Sequence, residues 1–200
     1  MNGLRERQAE IARTAILDAA ADCLRAKDPD DVSLADLAIR AGVSLRTLFR
    51  YFPTRDDLFS EAGRRLHEAM GLSPDVGDDD VAASFLSASA ALAKEPVLAR
   101  NLLLTSTGRR VRAPGRRQRQ ASIARAVTSA SRGLTPSATT SAAAVIGYLC
   151  SAASWVTICD ETGLDPDSAR KAVAWAISTL MSAVATGDGP AVRRTSKETR

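Results

Sequence analysis

The sequence predicts an all-α protein, with a three-helix helix-turn-helix head followed by a helical bundle, about nine helices in all. Three observations carry this. Of 200 residues, 45% are hydrophobic but only 4% aromatic, so the core is built mainly from Ala, Leu, Val and Ile, and alanine has the highest helix propensity. Apolar residues recur at helical spacing, while period-2 runs of β-branched residues are missing. Helix stop and start signals divide the chain into helix-sized pieces.

Taken in order, residues 8–26 carry Ile11, Ala15, Ile16, Ala19, Ala20, Cys23 and Leu24 on one amphipathic stripe, and Asp28-Pro29 stops that helix. Ser33 with Asp36 three residues on is a capping-box-like start for a short helix through Leu34, Leu37 and Ala38. Gly42, free to take positive φ, ends it. Ser44 caps a third helix over about 45–52, and Pro53 breaks it. Thr54 caps a fourth, with Asp56 and Asp57 at the positive end of its dipole, running to about Met70 and stopping at Gly71. Ser73 to Gly77 read as a loop. Further breaks at Glu95-Pro96, near Gly108–Pro114, at Gly133–Pro136, at Gly163–Pro166 and at Gly187 imply about five more helices. Asp165-Pro166 pairs a capping Asp with proline at the first helical position. The resulting plan is a head over 1–54, a second helical region over 55–187 and a polar, frayed tail over 188–200.

Composition bounds the function. Formal net charge is +4, which makes a polyanion a reasonable partner. Arginines number 23 against four lysines; that bias fits a GC-rich genome as well as selection for phosphate contacts. Cys23, Cys150 and Cys159 make no CxxC pair, and with a single histidine, His67, no metal site and no cofactor are expected. The cysteines read as buried free thiols in a reducing cytoplasm, a thiol sensor being the alternative. His67 is placed on an exposed or hinge-facing side of the fourth helix. No stretch of 18 uninterrupted apolar residues and no signal peptide are present, so a soluble cytoplasmic protein without membrane contact is expected. With no nucleophile elbow, no phosphate-cradling glycine loop and no recognisable carboxylate pair, an enzyme is not expected.

Two short helices joined by Ala41-Gly42-Val43-Ser44 match a helix-turn-helix, whose second helix lies in the major groove. Val43, Leu48 and Phe52 should pin that helix to Ile16, Ala20 and Leu24, leaving Arg46 and Arg50 on another face. Residues 1–60 hold nine basic and ten acidic side chains, yet Leu37–Arg55 holds four arginines and no acid. Positive charge is thus confined to the segment a reading helix would present. Arginine near the start of such a helix can reach guanine O6 and N7 with two hydrogen bonds. The hydroxyls of Thr47 and Tyr51 suit phosphate oxygens, and Ser44 is grouped with them.

The stretch Val32-Ser33-Leu34-Ala35-Asp36-Leu37-Ala38, then Ala41-Gly42-Val43-Ser44-x-x-Thr47-Leu48-Phe49-x-Tyr51-Phe52 and Arg55-Asp56-Asp57-Leu58, resembles the TetR family of bacterial repressors. So does Ile16-Leu17-Asp18-Ala19-Ala20 in the first helix. The resemblance covers about a quarter of the chain. It implies a homodimer on a palindromic operator and a divergent ligand-binding region. By position it implies Ser33 and Thr47 as phosphate contacts, Leu45 and Arg46 as base readers, Tyr51 on the DNA backbone and Arg55 where a phosphate-binding lysine is usual. Phe49 stands where tyrosine is common, which removes one phosphate contact and leaves an apolar reach to a thymine methyl. Arg5 and Arg7 belong to an arm for which a reach into the minor groove and plain disorder both remain open.

In the second half, residues 96–159 contain nine arginines and no acid, densest from Arg109 to Arg119. A solvated loop and helix start, a supplementary DNA-backbone contact and a dock for an anionic ligand all remain open there. Helices expected over 136–159 and 166–185 are apolar on two sides, and the second side needs a partner. The resemblance implies that these are the dimerising helices, with Ile146, Trp175, Leu180 and Val184 at the interface. Met70, Phe85, Leu103, Tyr148 and Trp155 are candidates for an effector pocket. The expected function is a ligand-responsive repressor acting on double-stranded DNA and released by a small, mainly apolar effector. The alternative is a helical interaction or small-molecule-binding module without sequence-specific DNA function.

Overall fold

The computed structural model describes residues 2–26, 29–73, 75–76 and 80–190, without the side chains of Asn2 and Arg5. Among these residues the chain is all helix, with no strand: α1 (Asn2–Arg25), α2 (Leu34–Arg40), α3 (Leu45–Tyr51), α4 (Arg55–Ala69), α5 (Val81–Ala93), α6 (Pro96–Leu104), α7 (Ser106–Ala130), α8 (Pro136–Leu149), α9 (Ala152–Thr162) and α10 (Pro166–Ala185). Two compact units form: Met1–Ser73 with Ala90–Arg116, and Pro74–Ser89 with Arg117–Arg200.

Local chemistry sets the head. Ser33 Oγ accepts from the Asp36 amide while the Asp36 carboxylate accepts from the Ser33 amide, a complete capping box at the start of α2. Thr54 and Asp57 repeat it at the start of α4. Helix α2 ends in a Schellman motif, in which Gly42 takes φ +67° and the amides of Gly42 and Val43 donate to Ile39 and Ala38 carbonyls at 3.1 and 3.0 Å. That turn redirects the chain into α3. Ile16, Ala20, Cys23 and Leu24 of α1, Leu37 of α2, Leu48 of α3 and Leu58, Phe59 and Ala62 of α4 are buried in one cluster, with Phe52, Leu98, Leu102 and Val111. The expected pinning of α3 through Leu48 and Phe52 is therefore present.

In the same unit α6 and α7 meet closely. A Cβ on Gly108 would lie 2.1 Å from the Asn101 carbonyl oxygen, so only glycine allows this corner. The buried Asn101 amide donates to the carbonyl of Leu24 at 3.0 Å and to that of Ala26, satisfying the last turn of α1.

The second unit buries Val81 and Phe85 of α5, Ile123 and Val127 of α7, Ile146 of α8, Trp155 and Val156 of α9 and Val173, Ile177 and Val184 of α10. Asp165 caps α10 by accepting from the Asp167 and Ser168 amides, with Pro166 in the first turn as expected.

The helix boundaries correct the sequence reading in three places. Helix α1 starts at Asn2, so Arg7 stands on a helix rather than a trailing arm, its Nε donating to the Gly3 carbonyl; the Arg5 side chain lies outside the described residues. The expected break at Gly108–Pro114 falls instead at Thr105, and Pro114 sits inside α7. Proline removes one helical hydrogen bond, and at this exposed position water can serve the released carbonyl. The single helix expected over 136–159 is two, split at Cys150-Ser151, where the Ser151 hydroxyl donates to the Tyr148 carbonyl and Ser154 to Leu149 and Ser151. Serine hydroxyls that satisfy backbone carbonyls make such a break inexpensive. Among the described residues this makes ten helices, where about nine were expected. Asp28, Pro74 and Gly77, and residues 191–200 of the expected tail, lie outside the described residues.

Candidate nucleic-acid interface

Helix α3 presents one face. Leu48 is fully buried, whereas Leu45 and Phe49 are 40% and 43% exposed, and Arg46 and Arg50 are exposed beside them. An apolar residue is left in water here at two of seven helical positions, each next to an arginine. Ser44 caps the helix by accepting from the Thr47 amide at 3.1 Å, and its hydroxyl lies 2.9 Å from the Thr47 hydroxyl. The cap fixes where α3 begins, and so which side chains its first turn presents. Arg50 donates to the Tyr51 hydroxyl at 3.2 Å with its guanidinium 5.0 Å from the Tyr51 ring centre. This pair holds the far end of the face in one arrangement. Arg46 and Thr47 occupy the first turn, where a groove-bound helix meets base edges.

Ser33 remains exposed at the start of α2, its hydroxyl donating to the Asp36 carboxylate at 2.6 Å. That hydrogen bond holds the Asp36 carboxyl below its ordinary range. Arg55 turns inward. It donates to the carbonyls of Val32 at 2.5 Å and Pro29 at 3.1 Å, and its guanidinium packs 4.7 Å from the Phe59 ring centre. Sequence reasoning missed this role, because nothing local announces that two carbonyls of the α1–α2 turn will face residue 55.

It also missed Asp30, whose carboxylate accepts from the Ser106 and Thr107 amides, both at 2.8 Å, and so caps α7 from the α1–α2 turn. Those bonds from Thr107 and Ser106 push the Asp30 carboxyl well below the usual range. Glu61, bonded to Arg64 and Arg13, is lowered to about 2. A carboxyl lowered in the folded state stabilises the fold above its unfolded pKa, and that stability is lost as pH falls toward the folded value. Thermal melts should therefore change little from pH 7 to about 5 and fall steeply below about 4. Asp30→Asn should flatten part of that fall; an unaltered acid limb would remove Asp30 from the account.

The pocket candidates differ in burial. Phe85, Leu103 and Trp155 are buried, Met70 is half-buried, and Tyr148 is corrected to an exposed position at 56%. Met70 lines a shallow hollow with Gly63, Leu66, His67, Leu72, Leu102 and Val111. His67 is half-buried, with Nδ1 2.6 Å from the Gly63 carbonyl oxygen. Trp155 is 5% exposed, and its indole N–H is buried without a hydrogen-bond acceptor among the described residues.

For the expected interface, Ile146 and Val184 are corrected: both are buried within the protomer, at 0% and 2% exposure, so neither is available to a second chain. Trp175 is 71% exposed and Leu180 half-buried. Val145 and Tyr148 on α8 are also exposed, and α8 packs against α10. Helical period locates the apolar faces but not which face the protomer itself consumes. Burial pushes the Cys150 thiol up to about 12 and raises that of Cys23. Among the described residues no three metal-ligating side chains come together, and no single helix is long and apolar enough to cross a membrane.

A capped helix held on two others through one apolar face, with arginine and apolar groups on the free face, defines a helix-turn-helix DNA-binding regulator. Residues 16–62 match the family model described as bacterial regulatory proteins, tetR family. The fold is shared with a tetR-family transcriptional regulator from Streptomyces coelicolor, at 16% identity and a TM-score of 0.61 over 90% of this chain and 84% of that one. A transcriptional regulator from Rhodococcus sp. Rha1 shares 17% identity, with a TM-score of 0.56 over 88% and 97%. A TetR-family regulator from Rhodococcus sp. shares 21%, with 0.56 over 86% and 99%. No curated protein matches the chain.

Proposed function

We propose that this regulator is a repressor that binds a palindromic operator as a homodimer and is released by a small, mainly apolar effector. The observation that carries the reading is the free face of α3, where Leu45, Arg46, Phe49 and Arg50 stand exposed on a helix whose opposite face is locked by Leu48. Arg46 reads guanine through two parallel donors and Arg50 a neighbouring base, while Leu45 and Phe49 offer apolar contact to thymine methyl groups. Ser33, Ser44, Thr47 and Tyr51 set the register on phosphates. Residues 1–54 act as the reading head, and the protein works in the cytoplasm.

Dimerisation is supported by the apolar side chains left in water on α8 and α10. Trp175, Val145 and Tyr148 are far more exposed than a monomer needs, and a two-fold dimer matches a palindrome. Trp175→Glu is expected to turn dimer into monomer in sedimentation at micromolar protein, since an interfacial tryptophan contributes about 2 kcal/mol or more from each protomer. An unchanged dimer would remove this face. The buried indole N–H of Trp155 supports an effector that brings one hydrogen-bond acceptor on an apolar body. Because α4 runs unbroken from the Thr54 cap to Ala69, displacing it would alter the spacing of two heads.

The test begins with wild-type protein selecting duplexes from random-sequence DNA, followed by anisotropy on the enriched and a scrambled duplex. Recovery of an inverted repeat bound far more tightly than the scramble is the expected outcome. Equal binding of both duplexes would refute the operator reading.

A further inference from the structure

Arg55 does not reach outward, so the positive charge expected at the start of α4 has to be sought elsewhere. It lies on α7. Asp30 in the α1–α2 turn caps this helix, Arg55 reaches its Thr107 hydroxyl at 3.5 Å, and Arg110 Nη1 sits 3.1 Å from Asp56 Oδ1 in the first turn of α4. These bonds hold the first turn of α7 against the two places that flank the reading helix in the chain, the lead into Ser33 and the start of α4.

We propose that Arg109 and Arg110 form a second phosphate-contacting surface of the head, gripping the DNA backbone outside the bases that α3 reads, while Arg55 positions α2. This rests on the DNA-binding reading above and adds a partner surface to it. Both arginines are exposed, and residues 96–159 contain no acid to neutralise them. The carboxylate that Arg110 does meet, Asp56, would otherwise repel a phosphate at the start of α4. Pairing cancels that charge and leaves the guanidinium in water on its outer side, with 57% of its side chain exposed. Arg116 is exposed two turns further along the ridge of Arg109. Arg112 differs, since its Nε is committed to the Leu102 carbonyl at 2.6 Å. The partner is DNA rather than a small anion, because the arginines lie along an open helix face joined to the head and not around a cavity.

Salt dependence separates the roles. Affinity for the enriched duplex, and for the scrambled one, is measured by anisotropy over a series of chloride concentrations for wild type, Arg109→Gln/Arg110→Gln, Arg55→Gln and the control Arg132→Gln. The logarithmic slope becomes shallower by about 0.9 for each phosphate that is no longer neutralised. The double variant is therefore expected to have a slope shallower by about 1.8 per protomer bound, on both duplexes, with the affinity ratio between them kept. Arg55→Gln is expected to weaken binding and lower the melting temperature with the slope unchanged, and Arg132→Gln to match wild type. Wild-type slope in the double variant, or a shallower slope in Arg55→Gln, overturns the proposal. Sequence-blind binding whose slope still becomes shallower in the double variant would sink the operator reading and keep this surface, whereas no DNA binding at all would sink both.

Discussion

Arg46→Ala is expected to weaken binding to the selected operator by about 1–3 kcal/mol per half-site, the discrimination carried by one bidentate arginine–guanine contact. In a two-fold complex both half-sites lose it, so the whole affinity should fall by between tens and tens of thousands of times. Binding to scrambled DNA should fall much less, because the loss there is of one charge and not of a base contact. Arg46 is exposed and makes no ion pair among the described residues, so its removal should leave the melting temperature within the range of a neutral surface change. A variant that melts normally yet keeps wild-type selectivity would place base reading elsewhere on α3, with Arg50 next in line. Loss of affinity on both duplexes in equal measure would make Arg46 a phosphate contact.

Phe59→Ala should be the most damaging single change in the first unit. The ring is 1% exposed within the cluster shared by α1, α2, α3 and α4, and it supports the Arg55 guanidinium. Truncating a buried phenylalanine costs about 3–5 kcal/mol, from reduced burial and the cavity left behind. For a chain of this length each kcal/mol lowers the melting temperature by roughly 2–4 °C, so a fall of about 6–20 °C is expected by calorimetry. Arg55 would lose the face it packs on, and its hold on the Val32 and Pro29 carbonyls should loosen. DNA binding should therefore weaken even where the variant remains folded. A drop of a degree or two would show that neighbouring side chains collapse into the space.

The head was legible because its instructions are local. Ser33 with Asp36, the Thr54 cap, Gly42 and Gly71 each act within four residues of themselves, and every one appears where the sequence placed it. Leu48 and Arg46 were separable by helical period alone, since one face must be buried and the other cannot be. The α8–α9 break was harder to read, because a serine that satisfies a carbonyl leaves the apolar pattern intact across it.

By itself, the sequence determined the helical class, the caps of the head, the position of the turn and the concentration of arginine on the reading segment. Those depend on backbone conformation and period, which neighbouring residues set. Only the tertiary structure decided what depends on partners far along the chain. Arg55 met carbonyls 23 and 26 residues away, Asp30 capped a helix 76 residues on, and Ile146 and Val184 were consumed inside the protomer while Trp175 was left in water. The same guanidinium that would bind phosphate in water prefers fixed carbonyls when the fold brings them within reach, because their geometry is already in place.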